Sequence, residues 1–265
     1  MSFPYYIQVG QTKFLLHSLI EPIAFFVGFR YFLYLRRKKS DPILSANRIS
    51  ILIAAIFGAL LGSRLIGGLE NPPQLFHSPH PLFYFYENKT VLGGFLGGLF
   101  GVELVKKRIG ERTPSGDLFV YPMILALMIG RIGCFSMGVH EETYGNPTSL
   151  PWGMDLGDGV IRHPVTLYEI VFLTGLWIGL LQWEKRAIPA AGARFKLFMI
   201  AYLLFRFLLD LIKPHYTFNF GLSTIQLTCL AGLFYYRAYI LSPGKLLASP
   251  QGDHRPYTDQ KKPYA

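Results

Sequence analysis

Gly130-Arg131-Ile132-Gly133-Cys134-Phe135 closes one apolar stretch, and Arg162-His163-Pro164-Val165-Thr166-Leu167-Tyr168-Glu169 opens the next. Between them runs a polar loop, Met137 to Asn146, that carries His140, Glu141, Glu142 and Tyr144, followed by Pro151-Trp152-Gly153. The apolar runs on either side decide the fold. A helix needs about 20 apolar residues to cross the hydrocarbon core, and helices or closed barrels alone satisfy their backbone groups there. An arginine and a glutamate therefore sit just inside the ends of two membrane spans. Charge is expensive in that position and marks a functional site. One arginine alone would be explained by snorkelling to lipid phosphate, but a cluster with an acidic, histidine-bearing loop is not.

Composition agrees with the membrane reading. Of 265 residues, 51% are hydrophobic and only 16% charged, too apolar for an ordinary soluble domain. Apolar blocks of about 18–22 residues recur with short connections. They predict an all-α, polytopic membrane domain over residues 1–241, a bundle of about seven transmembrane helices. The formal charge of +10 would suit nucleic acid. The basic residues, however, fall in short runs at span ends, where they orient helices and meet anionic headgroups. No nucleic-acid partner is expected. Cys134 and Cys229 lie far apart in apolar segments without a C-x-x-C pattern, and no histidine spacing resembles a zinc site, so neither a disulfide nor a metal is expected. No Ser-His-Asp or Gly-x-Ser-x-Gly arrangement is discernible, and no cofactor is implied. Met1 to Gly10 is aromatic and polar, not basic then apolar, so the first span is expected to be retained.

The first span, about Phe14 to Leu35, ends in Arg36-Arg37-Lys38-Lys39, which predicts a cytoplasmic end and an N-terminus outside. His17 and Glu21 share one face of it, and Pro22 should kink it. His17 reads as a headgroup-layer residue; Glu21, about two turns in, is a site candidate. The second span, about Ile49 to Leu69, has small residues at spacing four for close packing and then Arg64, which either snorkels or faces a polar cavity. Glu70 to Lys89 is an aromatic outside segment, placed as an arm on the membrane. The third span, about Thr90 to Val105, is glycine-dense, with Gly93 and Gly94 either packing helices or lining a lipid cavity. Spans four (about Leu118 to Met137) and five (about Val165 to Trp183) flank the central stretch. Span six, about Leu197 to Ile212, carries Arg206 and Asp210 at pairing distance on one face. Span seven, about Leu222 to Leu241, leads into a basic, proline-containing tail, residues 242–265, expected to be cytoplasmic and poorly ordered.

With that topology the arginines lie in the outer halves of their helices. Guanidinium groups converging under an outer loop form a site for an anionic headgroup, because the planar fork matches phosphate oxygens. Apolar helix below suits acyl chains. An arginine beside a leaving phosphate would also stabilise the charge that develops there.

These residues also carry a family resemblance. Gly130-Arg131-Ile132-Gly133-x-Phe135, Glu142-x-x-Gly145, Pro151-Trp152-Gly153 and Arg162-His163-Pro164-x-x-Leu167-Tyr168-Glu169 resemble the signature of bacterial prolipoprotein diacylglyceryl transferases. Gly62-Ser63-Arg64-Leu65, Tyr202 to Asp210, and Leu222 to Leu227 resemble other blocks of that family in order. The resemblance implies a multi-pass enzyme of the bacterial cytoplasmic (inner) membrane. It would transfer the diacylglyceryl group of phosphatidylglycerol to the lipobox cysteine of a prolipoprotein, releasing glycerol phosphate. It implies Arg131 and Arg206 as the essential arginines and Glu142, Gly145 and Arg64 as supporting residues. The chain departs from the family pattern at Leu92-Gly93-Gly94, where His-Gly-Gly is usual, at Cys134, where asparagine is usual, and at Glu21-Pro22 in place of Tyr-Gly. A base for the acceptor thiol would then come from His140, Glu142, His163 or Glu21, with Gly93, Gly94, Arg162, Tyr168 and Glu169 around the substrate. Two further readings are a lipid-dependent transferase with another acceptor and a non-catalytic phospholipid-binding protein.

Overall fold

A computed structural model describes residues 3–38, 41 and 43–247 as helices with two small hairpins. In chain order they are α1 (Leu16–Lys38), α2 (Ser45–Gly68), the short α3 (Pro72–His77) and α4 (Pro81–Glu87), α5 (Val91–Ile109), α6 (Val120–Met137), α7 (Val165–Arg186), α8 (Ala193–Asp210), α9 (Thr224–Tyr235) and α10 (Arg237–Ile240). Four segments are long and apolar enough to cross a membrane: Leu16–Lys38, Ser45–Gly68, Asp117–His140 and Val165–Arg186. Helices α5 and α8, with 19 and 18 residues, are of comparable length. They are more charged, through Glu103 and Lys106 to Arg108 in one, and Arg194, Lys196, Arg206 and Asp210 in the other.

Several local features differ from the sequence expectation. The span expected from about Leu222 to Leu241 is two helices, because the backbone at Tyr236 (φ −87°, ψ 4°) leaves the α region. The aromatic arm from Glu70 to Lys89 contains α3 and α4, each opened by a proline in its first turn, where a missing N–H costs nothing. Two small hairpins accompany the helices: β1 (Tyr6–Val9) with β2 (Thr12–Leu15), and β3 (Met154–Asp155) with β4 (Ile161–Arg162). Gly10 supplies the positive φ of the first turn. The start of the expected tail is ordered: Pro243–Leu246 forms a 3-10 turn and Ala190 N donates to Leu246 O at 3.0 Å. Residues 248–265 of that tail, and Met1, Ser2, Lys39, Ser40 and Pro42, lie outside the described residues.

Small residues set the closest packing. A Cβ on Gly97 would sit 2.8 Å from the Cα of Gly62, so α2 and α5 meet backbone to backbone. Gly28 of α1 packs closely on α6, where an added Cβ would lie 2.9 Å from the Ala126 Cβ and 3.2 Å from the Pro122 carbonyl oxygen. Leu92, Ile124, Leu173, Phe198, Tyr202 and Leu203 form the buried centre. Phe57 and Leu61, 61% and 69% exposed, face outward from α2, as lipid-contacting side chains do.

Interhelical contacts define the two ends of the bundle. At one end Arg48 of α2, 1% exposed, donates to Asp41 after α1 and to Ser115 O before α6 (3.0 Å). Glu184 of α7 pairs there with Arg194 of α8. At the other end lie His17, Arg64, Arg131, Glu169, Arg206 and the long connection from Gly138 to Pro164.

Candidate active site

Three helices bring their charges to one point at that second end. Arg131 is in the last two turns of α6, Glu169 in the first turns of α7, and Arg206 in the last turns of α8. Because α7 runs antiparallel to both neighbours, its start meets both of their ends. Arg131 Nε lies 2.8 Å and Arg206 Nη1 3.3 Å from the same oxygen, Glu169 Oε2. Tyr202 OH donates to the other, Oε1, at 2.7 Å. All three charged residues are buried, Glu169 to 1% exposure. Two guanidiniums against one carboxylate leave a net charge of +1. Arg206 Nε is buried without a hydrogen-bond partner. A buried excess of positive charge is costly unless an anion answers it.

Both arginines and Glu169 line a cavity of about 1600 Å³ between the α1–α6 and α2–α5 pairs. Its wall below the arginines is apolar, with Ala24, Phe29, Ala55, Gly94, Phe95 and Leu127. It continues to Lys106, Ser115 and Lys196 near the opposite end. The twelve residues of rise between Phe119 and Arg131, both lining residues, correspond to roughly 18 Å of helix. The cavity thus has a polar mouth, an apolar middle and basic residues at its far end.

The mouth is lined by further ionisable groups. Glu21 pairs with Lys89 and lies 3.6 Å from His17 Nε2. His17 Nδ1 lies 3.5 Å from Glu141 Oε2. Cys134 Sγ is 3.4 Å from Arg131 Nη1 and 3.8 Å from Glu141 Oε1. His17, Cys134 and Glu141 each offer a metal-ligating atom, all within 4.8 Å of one another. Arg64 donates to the carbonyl of Tyr86 and lies 5.0 Å from its ring centroid, so it faces the cavity and is held by α4. Glu70 and Lys213 line the same mouth. Burial pushes the Glu70 carboxyl up, only partly offset by Lys213 and Arg206. Burial and then the Arg206 charge push the Lys213 ammonium down.

The residues singled out in the sequence separate into two groups. Arg131, Arg206, Glu169, Glu142, Glu21, Arg64 and Gly94 line the cavity. His140, His163, Arg162, Tyr168, Gly145 and Gly93 are not among its lining residues. His140 is exposed on the 3-10 turn after α6. His163 Nδ1 bonds Tyr168 OH at 3.2 Å, and Tyr168 OH accepts from Trp152 Nε1 at 2.9 Å. Arg162 pairs with Asp158 at 2.7 Å and lies over the Tyr144 ring. Gly145 N donates to His163 O at 3.1 Å, and a Cβ there would overlap the His163 side chain. These residues knit the long connection that covers the site. Gly93 packs on Gly62. Asp210, expected to pair with Arg206, instead accepts from Ser223 Oγ and lies 3.7 Å from His215. Leu92 is fully buried in the core.

The cavity also takes in His17, Cys134, Glu141, Glu70 and Lys213, none of which the sequence analysis placed among the site residues. His17 lines the cavity. The available signals were its i,i+4 spacing from Glu21 and the i,i+3 spacing of Arg131 and Cys134.

Comparison with known proteins adds a family to this geometry. The sequence model described as prolipoprotein diacylglyceryl transferase matches residues 4–241. A phosphatidylglycerol–prolipoprotein diacylglyceryl transferase of Bordetella bronchiseptica is 35% identical over 174 residues, 62% of this chain and 63% of the relative. One from Actinobacillus pleuropneumoniae is 33% identical over 223 residues, 79% of this chain and 80% of its own length. One from Nitrosospira multiformis is 31% identical over 241 residues, 81% of each. The match to the Bordetella protein thus spans just under two thirds of that relative.

Proposed function

The chain belongs to the prolipoprotein diacylglyceryl transferase family, and on that premise we propose that it transfers the diacylglyceryl group of phosphatidylglycerol to the lipobox cysteine thiol of a prolipoprotein. The observation that carries this reading is the meeting of Arg131 and Arg206 on one side of the cavity with a net positive charge. The lipid phosphate takes up the guanidinium N–H groups that Glu169 leaves free, and the acyl chains lie in the apolar slot. As the bond between the glyceryl carbon and the phosphate oxygen breaks, negative charge builds on the leaving glycerol phosphate. Fixed guanidiniums in a water-poor site stabilise that charge more in the transition state than in the ground state. Glu169 and Tyr202 hold the arginines in place. Glu142 and Arg64 frame the mouth, where the acceptor's signal-peptide region enters.

The protein sits as a multi-pass protein in the bacterial inner membrane with about seven spans, the N-terminus outside and the C-terminus inside. Basic residues at the Arg48 end of the bundle, among them Arg36 to Lys38, Lys106 to Arg108, and Lys185 and Arg186, support this orientation. The site then opens toward the outer face, where prolipoproteins emerge.

The test is a purified-protein assay with phosphatidylglycerol and a lipobox peptide. Release of glycerol phosphate together with a diacylglyceryl-modified peptide is expected. Phosphatidylglycerol turnover only with another acceptor would redirect the assignment, and lipid binding with no turnover would make the protein a lipid-binding one.

A further inference from the structure

We propose that His17, Cys134 and Glu141 form a zinc site at the mouth of the cavity, with its fourth position open to a substrate thiol. The three ligands come from α1, α6 and the loop after it, so no spacing in the sequence could reveal them. His17 Nδ1 is 3.5 Å from Glu141 Oε2, and Cys134 Sγ is 3.8 Å from Glu141 Oε1. Zinc–nitrogen and zinc–oxygen bonds of about 2.0–2.2 Å and a zinc–sulfur bond of about 2.3 Å place tetrahedral ligands roughly 3.3–3.6 Å apart. The two distances run to different carboxylate oxygens, and one donor atom from each residue lies within 4.8 Å of the others, so the donors would close by about an ångström around an ion.

Independent observations point to a ligand. His17 Nδ1 and Glu141 Oε2 are buried and have no hydrogen-bond partner. Two orphaned polar atoms facing each other are expected where a cation belongs. The second nitrogen of His17, Nε2, lies 3.6 Å from the Glu21 carboxylate, which Lys89 holds from behind. A carboxylate on the far side of a ligating imidazole is the usual support for a metal-bound histidine. A thiolate, a carboxylate and Zn²⁺ sum to no net charge, so the site does not burden the neighbouring arginine pair. Imidazole, thiolate and carboxylate with one open position is a donor set suited to catalytic zinc.

This proposal rests on the transferase reading for its role but not for its existence. An acceptor thiol that binds the fourth position loses its proton to solvent and stays nucleophilic as a zinc-held thiolate. Its sulfur attacks the glyceryl carbon next to the phosphate ester. The carbon–sulfur bond forms as the carbon–oxygen bond breaks, and the electron pair leaves on glycerol phosphate. With Leu92 in the core, no titratable group is needed at that position.

The full chain, purified in detergent, should retain one zinc after loading and removal of excess metal. Cobalt substitution should give a thiolate-to-cobalt charge-transfer band. Cys134→Ser should abolish that band, and Cys134→Asp should keep metal binding while losing it. Glu21→Gln should weaken affinity by about tenfold. Failure of the loaded wild type to hold stoichiometric metal, or a band that survives in both Cys134 variants, would overturn the site. If metal binds as predicted but a metal-free sample transfers lipid to peptide at the full rate, the proposed role for the ion is wrong and the transferase reading stands. If metal binds and no lipid is transferred with or without it, the transferase reading fails and the site remains.

Discussion

One carboxylate, that of Glu169, answers two buried guanidiniums. Replacing it with glutamine leaves Arg131 and Arg206 buried against each other without a counter-charge. Removing one partner of a buried ion pair costs about 3–5 kcal/mol. Glu169→Gln should therefore melt at lower temperature in detergent, and added phosphatidylglycerol should recover part of the loss. A melting temperature equal to wild type would contradict the buried network. Arg206→Lys keeps the charge but not the fork, and turnover should fall by about 100-fold or more, as followed by glycerol phosphate release. Both arginines and Glu169 were legible in the sequence, because ionisable side chains inside apolar runs stand out. Their partners were not. Asp210 lies on the same face as Arg206, yet a carboxylate on the adjoining helix takes the guanidinium, and Ser223 takes Asp210.

At the scale of elements, the α2–α5 pair tests whether the glycines serve packing or the cavity. Gly97→Val would press into the backbone of Gly62. Overpacking of this kind costs about 1–3 kcal/mol, so the variant should be less stable to heat. Gly94→Ala would place its Cβ 3.7 Å from Ala59 O, an ordinary contact, so the fold should persist. The sequence left both roles open for this helix, and only the rotation of α5 against α2 assigns them. The α1–α2 turn offers a second test. Burial works to raise the Asp41 pKa, but hydrogen bonds from Arg48, from the Ile43 N–H and from Arg36 outweigh it and hold it below the usual carboxylate range. The stability from this contact is present above the ordinary carboxylate pKa and is lost as pH falls through the lowered folded-state value. Asp41→Asn should thus lower the melting temperature at neutral pH, with the difference from wild type shrinking in acid. A constant difference at all pH values would contradict it.

Over the whole molecule, long apolar blocks made the helical bundle legible, since nothing else of that length satisfies its backbone in lipid. The hairpins, the helical arm and the break at Tyr236 were not, because short elements leave little periodic signal. The mouth of the cavity was only half visible: it is assembled from α1, α6, α7, α8 and the loop after α6, and such distant segments share no spacing. Orientation has its own test. A cysteine introduced at Asp158 should react with a membrane-impermeant maleimide added to intact spheroplasts, and one at Arg112 should not; the reverse pattern would invert the topology. The central claim is that two arginines on separate helices hold one lipid phosphate. Its most direct measurement is the affinity of wild type, Arg131→Ala and Arg206→Ala for phosphatidylglycerol and for uncharged diacylglycerol, by native mass spectrometry. The account predicts that wild type prefers phosphatidylglycerol, and that each variant loses that preference while still binding diacylglycerol in the intact slot. A preference that survives in either variant would contradict it.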